Sequence, residues 1–335
     1  MLIGRRRTLL LSLFLVLTVP ATAATQCPIP PAPIISLSLN GFYSDKNGSI
    51  VDPDRLRAYI AAAKPLRHYY AHLRSTNQAA DSDASSCSCL LHSLTSWARA
   101  DALRDVRGSG EKRWAVTALL GVYLARGSNF GSCEFRNDVE AWFERLAEKN
   151  RPAHFSEARA ARSNNIDYWG AAGSALLYFA TGRTEADWTF ALSVYRNALD
   201  RLDGDNLLPN ERARGVRQWK YHFFALTPLL LIAESARACG IDLYRYGDSK
   251  LERLVEATLA GHRQSLASTM PDEEYAAMFI REMPDVSRVW INLAFERMPD
   301  RLPHFLAAAK AKTTWYLGGD VEPLLSALAG AKGRC

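Results

Sequence analysis

The sequence predicts an all-α protein. Three observations carry that expectation: apolar residues recur at helical spacing almost continuously from Pro53 onward, no segment sustains two-residue alternation, and the breaks between periodic stretches are short turn sequences. Broad apolar faces on about ten consecutive helices must be buried against one another. A ring of antiparallel helix pairs satisfies that requirement and so does a bundle, and periodicity alone does not choose between them.

In chain order, Arg5, Arg6 and Arg7 head an apolar run from Leu9 to Val19 that ends in Pro20-Ala21-Thr22-Ala23. A basic head, a short apolar stretch and an A-x-A site read as a secretory signal peptide, 1–23, cleaved after Ala23. The competing reading, an uncleaved anchor, would need roughly 20 apolar residues. Residues 24–335 then form a single domain with no later spanning segment, in the periplasm or outside the cell. Leu56, Tyr59, Ile60 and Ala63 mark the first helix; Leu90, Leu91, Leu94, Trp97 and Ala98 the next; Ala115, Leu119, Val122 and Tyr123 a third. Further helices are expected over 136–148, 165–181, 185–201, 216–239, 247–265, 272–281, 285–296 and 302–311. Gly108-Ser109-Gly110, Gly127-Ser128-Asn129, Asp203-Gly204-Asp205 and Met298-Pro299-Asp300 supply turns. The stretch 75–86, rich in Ser, Asp, Asn and Ala, reads as a mobile loop.

The formal net charge of +6 falls to +3 once Arg5, Arg6 and Arg7 leave with the leader. That is compatible with an acidic polymer; nucleic acid is excluded as a partner by the compartment. Cys27, Cys87, Cys89, Cys133, Cys239 and Cys335 all follow the leader, and an even count in an oxidising compartment implies disulfides of unspecified pairing. Cys87-Ser88-Cys89 has no matching His or Cys pair, so no metal site is expected. There is no G-x-S-x-G elbow, H-E-x-x-H or phosphate-binding loop.

Two clusters stand out. Asn164-Asn165-Ile166-Asp167-Tyr168-Trp169 opens a helix. Asn at such a position commonly caps, but an Asn amide also donates to a carboxylate without adding charge. Leu208-Pro209-Asn210-Glu211 is followed by Arg214, Arg217, Lys220, Tyr221, His222, Phe223 and Phe224. On a helix, Arg214, Arg217, Tyr221 and Phe224 share one stripe; the competing reading is a solvated basic turn before a buried helix.

These residues resemble the alginate lyases of polysaccharide lyase family 5, whose pattern is NN-x-x-YW followed by LPNE and R-x-x-x-YH-x-x-AL-x-P. Segments in the same order extend the resemblance: Phe42 to Ser49, with Lys46; Trp97 to Leu103; Lys112-Arg113-Trp114-Ala115; Ala141 to Ala147; and Leu317-Gly318-Gly319-Asp320-Val321. The resemblance implies an incomplete α/α toroid (α/α barrel) of antiparallel helix pairs with a deep cleft. It also implies a periplasmic location, no cofactor, and β-elimination on an acidic polysaccharide such as polymannuronate; the protein itself is expected to be a monomer.

Such chemistry has stated needs. The C5 proton of a uronate is weakly acidic until its carboxylate is neutralised. A base removes that proton and an acid protonates the departing C4 oxygen. A Tyr can serve if cations lower its pKa from about 10. By resemblance, the neutralising pair falls on Asn165 and Arg217, and the loop lysine on Lys46. The catalytic His and Tyr positions fall on Ile166 and Phe224, which carry no titratable group. Tyr221 is then the nearest substitute base, His222 the second and Asp167 the third. Asn164, Tyr168, Trp169 and Arg214 complete the expected sugar-binding set, with Trp219 and Trp290 as further stacking candidates. Two other functions follow from the same residues: a non-cutting scaffold that binds or guides an acidic exopolysaccharide, and a glycoside hydrolase using two carboxylates from Asp101, Asp167 and Glu211.

Overall fold

The computed structural model describes residues 27–46, 48–79, 87–108, 110–125, 135–151, 156–266 and 270–330, with backbone alone for 77–79, 87 and 88. The expected leader, the Gly127-Ser128-Asn129 turn, and Cys133 and Cys335 lie outside the described residues. Within them, strand β1 (Ser36–Ser38) precedes helices α1 (Pro53–Ala79) and α2 (Cys87–Arg99). Strand β2 (Asp105–Arg107) then leads into α3 (Glu111–Ala125), α4 (Arg136–Glu148), the single turn α5 (Glu157–Ala160), α6 (Asn165–Thr181) and α7 (Glu185–Asp200). After the single turn α8 (Pro209–Arg212) come α9 (Gln218–Ala238), α10 (Tyr246–Ser265), α11 (Asp272–Glu282) and α12 (Val289–Arg297). Strands β3 (Thr313–Thr314) and β4 (Gly319–Asp320) and helix α13 (Val321–Gly330) close the order. Strands β1 and β2 pair in parallel, Leu37 opposite Val106, and β3 pairs with β4 antiparallel.

Local chemistry sets the boundaries. Asp52 accepts from the N–H groups of Asp54 and Arg55 ahead of Pro53, which needs no partner for its own nitrogen. Asn164 caps α6 in a reciprocal box with Asp167, and Gly182, in the left-handed region, ends it. The run Tyr168 to Leu177 is buried on every side, so α6 is an inner helix, packed on α3, α7 and α9. Helix α9 is buried from Ala225 to Ala236 and packs on α6, α10 and α12. Both inner helices begin at the same end of the molecule, where the site is found.

Three expectations are corrected. The helix expected over 302–311 is a 3-10 segment, His304–Ala309, whose first turn closes over three residues, Leu306 N–H donating to the Pro303 carbonyl at 3.0 Å. That expected over 285–296 divides into a 3-10 turn, Asp285–Ser287, and α12. The loop expected over 75–86 is helical through Ala79, since buried Leu73 and Thr76 continue the inward face of α1; 80–86 lie outside the described residues. Cys27 and Cys89 form a disulfide spanning 62 residues, and Cys239 is also disulfide-bonded.

A buried charge cluster ties α9 to α12. Glu234 is 3% exposed and accepts from Arg297 Nε at 2.6 Å and Nη2 at 2.9 Å, from Arg237 Nε at 3.0 Å and from the Tyr244 hydroxyl at 2.8 Å. Burial pushes its pKa up, but the bonds from Arg297 and Tyr244 outweigh burial and hold it below the usual carboxylate value. A depressed folded pKa stabilises above the unfolded value and is lost as pH falls through the folded one. Glu234→Gln is therefore expected to cost about 2 kcal/mol near neutrality, discounted for the part-exposed arginines. Thermal melts should show the gap from wild type closing below about pH 4; a pH-independent gap would refute the assignment.

Candidate active site

A cleft of about 610 Å³ opens where α6 and α9 begin. Its walls come from loop residues within 41–46 and Gly48, from Arg67 on α1, Trp114 on α3, Asn165 and Ile166 on α6, and Arg214, Arg217, Lys220, Tyr221 and Phe224; Pro284, Val286 and Ser287 line it too, and Trp315 and Tyr316 complete it. Gly121 of α3 lets the last two in, since a Cβ there would strike the Leu317 carbonyl. The loop folds on its own carboxylate: Asp45 accepts from Ile50 N at 2.7 Å, Ser49 N at 2.9 Å and Ser49 Oγ at 2.8 Å. Those bonds, led by that from Ile50, hold its pKa down at about 2. Gly48, at φ +65°, passes against the Arg214 guanidinium where a side chain would not fit.

The cleft is cationic. Lys46, Arg67, Arg214, Arg217 and Lys220 line it, and the acid among the described lining residues, Asp45, is engaged by its own loop. Arg217 lies over the rings of Tyr43 at 5.4 Å and Tyr221 at 5.9 Å. Its Nε is buried with no hydrogen-bond partner among the described residues, and so is that of Arg67, which lies 5.4 Å from the Trp315 ring. Buried guanidinium N–H groups without acceptors are costly unless an anion arrives.

The two neighbouring asparagines divide the two roles weighed for them. Asn164 is the helix cap, accepting from Ile166 N at 3.0 Å. Asn165 faces the cleft while its Nδ2 is turned to Glu211, 3.0 Å from Oε1 and 2.9 Å from Oε2. Its backbone N–H donates to the same Oε1 at 2.6 Å. Glu211 is fully buried, and that burial, against Arg214 and the Asn165 bonds, leaves its pKa raised.

The phenols of Tyr43 and Tyr221 share a hydrogen bond. Arg214 Cζ lies 4.6 Å from the Tyr221 ring. Burial, then the Tyr43 bond, push the Tyr221 pKa up, and Arg214 and Arg217 pull against them. Ile166 and Phe224, standing where the family's proton-moving side chains belong by resemblance, do line the cleft. Phe224 meets Trp114 edge-on at 5.9 Å and Tyr316 at 5.4 Å.

The structure thus brings together Lys46, Asn165, Arg214, Arg217 and Tyr221, and leaves other expected residues out. His222 is fully buried behind the cleft: Nδ1–H donates to the Gln218 carbonyl at 2.8 Å and Nε2 accepts from Leu208 N–H at 3.1 Å. Burial holds its pKa down at about 4, and it is a structural histidine. Tyr168 is buried with its hydroxyl on the Ser163 carbonyl, and Trp169 is buried beneath Phe224 and Tyr316. Trp290 is core, and Trp219 packs on His222 and His262. The carboxylate pair of the hydrolase reading does not form. Asp101 pairs with Arg145 on the outside, Asp167 with Arg113 and Arg159, and Glu211 with Asn165. Tyr43, Arg67, Trp114, Trp315 and Tyr316 were missed. Tyr43 and Trp114 sit inside matched segments and Trp315-Tyr316 just precede one, which was the available signal.

Comparison with known proteins agrees with this geometry. Residues 106–266 match the family model described as alginate lyase. The chain is 30% identical over 323 residues to a polysaccharide lyase of Stenotrophomonas maltophilia (strain K279a), covering 93% of this chain and 94% of that one. It is 34% identical over 183 residues to an alginate lyase of Pseudomonas syringae pv. syringae (strain B728a), spanning 52% of this chain and 48% of that protein, about half its length. In three dimensions it resembles alginate lyase A1-III in complex with tetrasaccharide, with a TM-score of 0.69 at 20% identity over 92% of this chain and 88% of that one. A structure of alginate lyase A1-III from Sphingomonas species A1 superposes with a TM-score of 0.66 at 20% identity, over 89% and 85% of the two chains. The fold is accordingly the α/α toroid of those neighbours. With this extent of shared sequence, the chain belongs to the alginate lyase family of polysaccharide lyases.

Proposed function

We propose that the cleft binds an acidic polyuronate of the polymannuronate type and cuts it by β-elimination, with proton transfer moved to Tyr221 and Tyr43. The observation that carries this reading is Arg217, a half-buried guanidinium whose Nε is buried without a hydrogen-bonded acceptor among the described residues, set beside Asn165-lined space and over two linked phenols. Arg217 receives the uronate carboxylate and stabilises the charge that develops on it as C5 loses its proton. Tyr221 as phenolate takes that proton. The C5 electron pair forms the C4–C5 double bond, the C4–O bond breaks, and the leaving oxygen takes the Tyr43 proton. The proton on Tyr221 then crosses the shared hydrogen bond to Tyr43 and restores the starting pair.

The leader read at 1–23 assigns the protein to the periplasm or the exterior, and the Cys27–Cys89 disulfide supports an oxidising compartment. Purified protein incubated with polymannuronate, polyglucuronate and an acidic exopolysaccharide is expected to raise unsaturated-uronate absorbance, polymannuronate first. No rise on any of the three overturns the lyase reading. Retained, salt-sensitive binding without cutting would instead establish the scaffold reading, which Ile166 and Phe224 in the cleft favour.

A further inference from the structure

The segment Leu317-Gly318-Gly319-Asp320-Val321 does not line the cleft, but its two glycines help to wall a second depression beside it. This depression, about 590 Å³, shares Arg67 and Trp315 with the cleft, so the two spaces meet at that guanidinium and that indole. One wall is a stripe of α1: Arg67, Tyr70 and Arg74 stand three and four residues apart and share a face. From Arg67 to Arg74 is about 10 Å along the helix axis. Gly318 and Gly319 make the room. Both have positive φ, +79° and +139°. A Cβ on Gly318 would strike the Ala118 carbonyl and Val122 of α3, and one on Gly319 would press on Arg74 Cγ at 3.1 Å.

Trp315 is half-buried, its ring 16° from parallel to that of buried Tyr70 at 5.7 Å, and 5.4 Å from the Arg67 guanidinium. The Tyr70 hydroxyl, like Arg67 Nε, is buried without a hydrogen-bond partner among the described residues. Arg74 is exposed, and the acid it faces, Asp320, stands 3.6 Å away, beyond hydrogen-bond reach.

We propose that this depression is a further subsite on the path of the polymer, where an acidic chain leaving the cleft crosses Trp315 and gives a uronate carboxylate to Arg74. This rests on the polyuronate reading above and extends it to the sugars beyond the cut. A pyranose lays its C–H face on an indole while its carboxylate projects from the ring edge towards a guanidinium. Two guanidiniums two helical turns apart match the span of about two linked pyranoses. Thr313, on the far side of the depression, offers a hydroxyl to the sugar. A neutral glycan would use the indole and the hydroxyl but gain nothing from Arg74, so the charge sets the class of ligand.

The test is calorimetric titration of oligomannuronates of increasing length into the Tyr221→Phe protein, so that the ligand is not consumed. Affinity should rise in a step, about fivefold to tenfold, at the length that first reaches across Trp315. The step should shrink in salt. Arg74→Ala in the same background should remove it, so that long oligomers bind as the shorter ones do. Arg74→Lys keeps the charge without the planar fork and should restore part of the step. If Arg74→Ala does not fold, Arg74→Gln, which keeps the stem over Gly319, must remove the step instead. A step that survives loss of the Arg74 charge overturns the subsite, and so does the absence of any step while short oligomers bind; the polyuronate reading stands in both cases. Folded protein that binds no oligomer of any length overturns both readings.

Discussion

Replacing Tyr221 by phenylalanine is expected to lower kcat by about a hundredfold to ten-thousandfold while KM changes little. The ring remains in place to stack beneath Arg214 and Arg217, so binding surface is retained; what disappears is the oxygen that accepts the C5 proton. Because burial raises the Tyr221 pKa, the phenolate is scarce at neutral pH and becomes more abundant as pH rises. Wild-type kcat should therefore climb with pH on its alkaline side, and the residual rate of Tyr221→Phe should not follow that climb. Stopped assays of unsaturated product across pH decide it. A Tyr221→Phe protein with near-normal kcat and the wild-type pH profile would show that another group takes the proton. Installing a phenol at the neighbouring cleft position, Phe224→Tyr, in the Tyr221→Phe background should recover part of the loss, since Phe224 lines the same cleft.

How much of this site was legible in the sequence depends on whether a residue's partner is local. Asn164 as a cap and α6 as a buried helix follow from neighbours within one turn, and sequence spacing reports such neighbours well. The pairing of Arg217 with Tyr221 was expected from a shared helical face. The two do meet, but Arg217 lies in the 3-10 turn Gly215–Arg217 ahead of α9, so a bend rather than a helical stripe brings it over the ring. His222 ranks second to Tyr221 as a base in the sequence, about 100° of helix away from it, and that rotation is enough to send it into the core. Tyr43 could not be assigned at all: its partner is 178 residues away, and nothing local fixes where the loop lies. Glu211 was read as a possible hydrolytic acid because its true partner, Asn165, is 46 residues upstream. In each miss the deciding contact is long-range, and composition carries no trace of it.

Arg217→Ala should reduce kcat/KM by about a hundredfold to a thousandfold, the effect of removing one preorganised donor from a developing anion. The argument turns on which cation is uncommitted. Arg214 lies 3.7 Å from Glu211 and spends part of its field on that carboxylate, whereas Arg217 makes no ion pair among the described residues and leaves its Nε without an acceptor. Its charge does two things at once: it receives the uronate carboxylate, and it opposes the burial that holds the Tyr221 phenol protonated. Loss of the guanidinium should accordingly raise KM, lower kcat, and move the alkaline rise in kcat to still higher pH. Arg217→Lys restores the charge but not the planar fork, and should recover the position of the pH profile more fully than KM. Salt should weaken oligomannuronate binding less in Arg217→Ala than in wild type, because one screened contact has been removed. If Arg217→Ala changed KM alone, with kcat and its pH profile intact, the guanidinium would be a ground-state anchor, and the charge that the reaction develops would have to be met by Arg214, Lys46 or Lys220 instead.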